Sequence, residues 1–122
     1  MEYGSQFDKP PINTHVYPGS WSPLHNNSSF IIESLEFLLD YIKNTLHYQL
    51  QDTVNINLFT SGAQIVSGIN IYLEFRIIGS QTIDVQALIN DPSVIKNKHD
   101  KIESDRKPNI DKIYITDKKI FK

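Results

Sequence analysis

An α+β fold, with one long α-helix packed on a curved antiparallel sheet of four to five strands, follows from three features of the sequence. A single segment carries a helical apolar period. Everything after it alternates with period two. The turn-forming residues are spaced for a meander, so the strands are antiparallel. At 122 residues, 39% of them apolar, the chain is long enough for one domain with one modest core. Residues 1–17 are assigned to an extended N-terminal arm and 18–122 to the domain.

The arm comes first. Pro10, Pro11, Pro18 and Pro23 stand among Gly, Ser, Asn and Thr without sustained periodicity. Proline lacks a backbone donor and resists helix, so residues 1–27 read as extended and mobile. Ser28 and Ser29 then offer a helix cap, with Glu33 in the first turns. From Phe30 to about Leu46, Ile31, Leu35, Leu38, Leu39, Ile42 and Leu46 share a face. Glu33, Glu36, Asp40, Lys43 and Asn44 lie mostly elsewhere.

Val54, Ile56 and Leu58 alternate with Asn55 and Asn57, which predicts a first strand. Ser61-Gly62 punctuates the chain. A long alternating run follows, with Ile65, Ser67, Ile69, Ile71, Leu73, Phe75 and Ile77 on the inner face. Val66, Asn70, Tyr72, Glu74 and Arg76 fall on the other, which is expected to be partly solvated. Gly79-Ser80 makes a turn, Thr82 to Ile89 a strand, and Asn90-Asp91-Pro92 its end. Residues 96–107 form a charge run read as a solvated connection. A last strand is placed around Lys112–Ile115, with an extension towards Phe121.

Several function classes recede on these grounds. A net charge of −2 gives no basic footprint for nucleic acid or an anionic membrane. No apolar run reaches the ~20 residues that a spanning helix needs. His15, His25, His47 and His99 lack ligand spacing, so no metal or other cofactor is expected. Glu33, Glu36 and Asp40 read as solvating charges, and no nucleophile motif or phosphate-binding glycine loop occurs. No catalytic residue is assigned. With no cysteine and no recognisable signal peptide, a cytoplasmic location is expected. Secretion after leader removal is the alternative, and Asn26 and Asn27 would then be glycosylation acceptors.

Three short segments stand in order. Pro18-Gly19-Ser20-Trp21 precedes the helix. Gln64-Ile65-Val66-Ser67-Gly68 opens the long alternating run. Asp91-Pro92-Ser93 closes the next strand. Together they resemble the cystatin family of cysteine protease inhibitors, whose Q-x-V-x-G hallmark is matched by Gln64, Val66 and Gly68. The likeness extends over roughly residues 18–93, and the lack of cysteine makes it stefin-like or similar to protist and invertebrate members. The resemblance implies a cystatin-like fold and reversible, competitive inhibition of papain-like proteases such as cathepsin L-type enzymes. Val16, Tyr17 and Gly19 would form the trunk, Gln64 to Gly68 the first loop, and Pro92 and Ser93 the second.

Two positions depart from the family pattern. Ser93 stands where the family usually has Trp, and Ser20 where a second glycine is common. The alternative is therefore a non-inhibitory binding module on the same fold, with a degraded wedge. A small enzyme on a related fold is disfavoured by the apolar inner face. A monomer is expected, with a domain-swapped dimer as the other form open to a hairpin-rich fold.

Overall fold

The helix begins where a side chain can cap it. In the computed structural model, which describes residues 2–13, 19–51, 54–92 and 108–121, the Ser28 hydroxyl accepts the Phe30 amide at 3.2 Å. Helix α1 runs over Ser29–Asp40 and continues as a π-helical turn over Tyr41–Thr45. The wider turn is closed by the Leu46 amide donating to the Tyr41 carbonyl at 3.1 Å. His47, with φ 61°, then leaves the helix in the left-handed region. Ile31, Leu38 and Ile42 are buried, while Leu35, Leu39 and Leu46 are half-buried against the same cluster. The six-residue stripe predicted from the sequence is therefore the packing face.

Five strands form one antiparallel sheet in sequence order: β1 Trp21–Pro23, β2 Asn55–Val66, β3 Gly68–Ile78, β4 Ile83–Asp91 and β5 Asn109–Asp117. Ile69, Ile71, Leu73, Phe75 and Ile77 face the helix with Ile83, Val85, Ala87, Ile89 and Ile115. One helix against a five-stranded antiparallel sheet is the α+β arrangement that the periodicities predict.

Three expectations are corrected. Ser61-Gly62 is not a break, because β2 runs through it. The pairing slips between Leu58 and Thr60, so Phe59 occupies a bulge and the inward set changes from Ile56 and Leu58 to Ser61, Ala63 and Ile65. The run from Ile65 to Ile77 is not one strand either. It reverses at Ser67, bringing Ile65 opposite Ile69 and Val66 opposite Gly68. Finally, β1 lies inside a stretch read as an extended, mobile arm. Three residues are too few to show a period, and only pairing with β2 identifies them.

The outer face is left to solvent only in part, with Asn55, Asn57 and Lys112 exposed. Tyr72, Arg76, Asp84, Gln86 and Thr116 are buried on it. The N-terminal arm covers Tyr72, Gln86 and Thr116. Tyr3 pairs with Ile115 at the β5 edge, and Ile12 pairs with Trp21 beside β1. Between these ends Phe7 receives both arms of the Gln86 amide: its N–H donates to Oε1 at 3.1 Å, and Nε2 donates to its carbonyl at 2.6 Å. The Phe7 ring meets Tyr72 edge-on at 6.0 Å. Residues 2–13 thus form a strap across the sheet, not a mobile arm.

The far end of the same face is closed by the chain after β5. Asp84 Oδ2 accepts the successive amides of Lys119, Ile120 and Phe121 at 2.9, 3.1 and 3.3 Å. Arg76 Nε donates to Asp84 Oδ1 at 2.6 Å, and Arg76 also donates to the Phe121 carbonyl. Phe59, the bulge residue, stacks near Phe121 at 5.1 Å and beneath the Arg76 guanidinium at 5.2 Å. The strand extension expected towards Phe121 is replaced by this turn onto Asp84.

Candidate functional site

The β2–β3 hairpin ends beyond the core. Gln64 and Ile65 lie opposite Asn70 and Ile69, and Val66 lies opposite Gly68, so Ser67 alone makes the reversal. Such a sharp return needs backbone angles that few residues adopt, and Gly68 supplies φ +126°. The overhang leaves two large apolar side chains in solvent, Ile65 at 67% and Val66 at 43% exposure. Ile69, the partner of Ile65, is buried. The motif therefore sits at the tip of a hairpin whose base is core and whose end is not.

The end of β4 adjoins this tip. A β-carbon on Gly68 would stand 3.0 Å from Pro92 Cα and 3.1 Å from the Asp91 carbonyl oxygen. A side chain here would have to push the two segments a few tenths of an ångström apart. The third segment arrives from the other side. Trp21 pairs with Gln64, and Gln64 Nε2 donates to the Gly19 carbonyl at 2.9 Å. Gly19 itself has φ +81°, with nothing within 4 Å of where its β-carbon would be. Its glycine is a matter of backbone conformation alone.

Of the ten positions singled out in the sequence, the structure brings Gly19, Gln64, Ile65, Val66, Ser67, Gly68 and Pro92 to one end of the sheet. Val16, Tyr17 and Ser93 lie outside the described residues. Asn26 and Asn27 are exposed in the turn before the helix. Family models, curated proteins and solved structures yield no match to this chain. The site is therefore read from its own geometry.

None of the seven gathered residues is ionisable, and the perturbed groups lie elsewhere. Burial pushes the Tyr72 hydroxyl up, its hydrogen bond to Glu74 adds to that, and the contact with Gln86 opposes it. Burial alone would also raise Asp84. Hydrogen bonds from Arg76 and from the Phe121 and Lys119 amides outweigh it and hold the carboxyl below the ordinary range. Both groups sit on the outer face, and the Arg76–Asp84 pair lies at the end opposite the hairpin tip. Among the described residues, no group of three or more His, Cys, Asp or Glu could hold a metal. No described helix is long and apolar enough to cross a membrane. An apolar tip flanked by two backbone segments can insert into a complementary cleft.

Two residues of this end were not singled out in the sequence. Asn70 Nδ2 donates to Gln64 Oε1 at 3.0 Å, and Asn90 Nδ2 donates to Asn70 Oδ1 at 2.6 Å. Asn70 falls in the outward set of the alternation, whereas Asn90 reads as the end of its strand. Only the strand register, which places Gln64, Asn70 and Asn90 side by side, shows that they form a row.

Proposed function

We propose that the protein is a reversible, competitive inhibitor of papain-like cysteine proteases, built as a cystatin-type wedge. The observation that carries this reading is the exposed Ile65-Val66 tip, set between Gly19 on one side and Pro92 on the other. A papain-like protease has a narrow cleft between two lobes, with its reactive cysteine at the floor. A hairpin tip that narrows to one residue fits such a slot. The trunk before Gly19 would lie along the substrate-binding side, and the Pro92 segment would rest on the opposite lip.

Inhibition follows from occlusion. The tip turns back at Ser67, so it presents no extended peptide bond to the catalytic cysteine and leaves the enzyme blocked. Affinity comes from drying an apolar tip against apolar walls, and full burial of a valine-sized side chain is worth about 1.5–3 kcal/mol. A protease–inhibitor interface of this sort covers roughly 800 Å² per partner.

Ser93 favours one other reading. Without an aromatic anchor in the second loop the wedge forgoes about 2 kcal/mol, roughly thirtyfold in affinity. A non-inhibitory binding module on the same fold would show such a loss. Papain cleaving a fluorogenic peptide, titrated with the intact protein and with Val66→Asp, separates the two. Saturable inhibition that disappears in the variant supports the inhibitor. No inhibition of papain or of a cathepsin L-type enzyme at micromolar concentration favours the binding module.

A further inference from the structure

The row of side-chain amides beneath the hairpin tip is directional, and its direction is set by a backbone atom. A carbonyl oxygen can only accept, so the Gly19 carbonyl requires Gln64 to present its NH2 group. Gln64 then has Oε1 left for Asn70, which must turn its own NH2 towards it. Asn70 in turn offers Oδ1 to the NH2 of Asn90. The three bonds, 2.9, 3.0 and 2.6 Å long, run head to tail from β4 through β3 and β2 to the trunk. Each amide both donates and accepts, so each bond polarises the next.

The row also has a defined place. It lies one residue pair inside the tip, since Ile65 pairs with Ile69 and Ile69 with Asp91. It therefore joins the three segments that the proposed inhibitor uses. Asn90 belongs to the strand that leads into Pro92, Gln64 to the hairpin, and Gly19 to the trunk. The bond at Gly19 is the link that spans 45 positions of sequence.

We infer that Asn70 is a positioning residue: through Gln64 it fixes the Gly19 carbonyl, and so holds Gly19 in register with the hairpin tip before any protease is met. This rests on the inhibitor reading for its consequence, though not for the row itself. A trunk free to wander would be competent to dock only part of the time, and association would slow by that fraction.

Asn70→Asp is the decisive variant, because it is nearly the same shape and has no donor. Asp at this position can still accept from Asn90. It also draws the Gln64 NH2 towards itself, turning Gln64 Oε1 to face the Gly19 carbonyl oxygen. Asn70→Ala removes the middle of the row without adding charge and serves as the second variant.

The first readout is backbone 15N relaxation of the free protein, with the Gly19 amide observed. The second is the association rate with papain. Both variants are expected to mobilise Gly19 and to slow association about tenfold, with thermal stability changed little. In a Gln64→Ala background Asn70→Ala should have almost no further effect, because the two act in series. A Gly19 amide that stays as ordered as in the unmodified protein, or effects of the two substitutions that add, would overturn the inference. If the unmodified protein fails to inhibit, the inhibitor reading falls and the relaxation measurement still decides the row.

Discussion

Gly19 and Gly68 both occupy the positive-φ region, yet substitution should affect them unequally. At Gly19 an added methyl meets nothing, so Gly19→Ala carries only the backbone strain, about 1–2 kcal/mol. At Gly68 the same methyl meets Pro92 Cα and the Asp91 carbonyl as well, and both are backbone atoms that move only with their strand. Gly68→Ala is expected to lower urea stability more than Gly19→Ala does. It should also push the hairpin tip away from Pro92, weakening protease binding beyond what the stability loss explains. Equal midpoints for the two variants would contradict the contact. Val66 differs from both, since its substitution should leave folding intact. Val66→Asp places a charge where the proposed complex is driest, so inhibition should vanish while the urea midpoint stays put.

The latch formed by Asp84 and the chain after β5 has a pH dependence whose sign can be worked out. The folded carboxyl is more acidic than an unfolded aspartate. Its contribution to stability is complete above about pH 4, where the unfolded group is ionised. It is lost as the pH falls through the lower folded value. Asp84→Asn should therefore be less stable at neutral pH and lose less stability than the unmodified protein between pH 4 and pH 2. Urea midpoints measured across that range test it, and parallel curves would rule the latch out as the acid-sensitive element.

The latch was hidden in the sequence, whereas α1 and the inward set of β3 were plain in it. Ile31, Leu38 and Ile42, or Leu73 and Phe75, declare themselves by a period that belongs to one element. Arg76 and Asp84 show no such mark. Each looks like a solvent-facing strand residue until its partners arrive from a bulge at Phe59 and a turn at Lys119–Phe121. The site divides the same way. Gln64, Val66 and Gly68 were singled out by their resemblance to the cystatin hallmark, which implied a loop from Gln64 to Gly68. That the reversal takes one residue and exposes Val66 was not legible. Alternation passes unbroken through Ser67, because a pairing of Ile65 with Ile69 preserves parity.

Taken whole, the molecule is closed by its strap. A five-stranded sheet has two open edges, each a row of unpaired backbone groups that invites pairing with another chain. Here one segment attends to both, with Tyr3 bonded to Ile115 beside β5 and Asn13 donating to the Trp21 carbonyl beside β1 at 3.0 Å. Its middle covers Tyr72 and Gln86. Removing residues 1–13 should leave a sheet that self-associates, visible as a shift in sedimentation towards dimers and larger species. A strapless chain that stays monomeric with an unchanged urea midpoint would show the strap to be ornament.

The strap also imposes an order on biogenesis. Glu2 finds its partner Thr116 114 positions later, and Phe7 finds Gln86 79 positions later. On a ribosome, the strap is made long before the strands it must bridge. Closing loops of that span is slow compared with forming hairpins. The β2–β3 and β3–β4 hairpins can zip as they are made, while the Tyr3 end of the strap has nothing to bind until β5 is complete. Chain closure at β5 is then the last event of folding, and pulse-labelled hydrogen exchange should find the Tyr3 amide, bonded to Ile115, protected later than the Asn13 amide, bonded to nearby Trp21. The interval before that closure is when the nascent protein is most exposed to its neighbours and has most need of a chaperone.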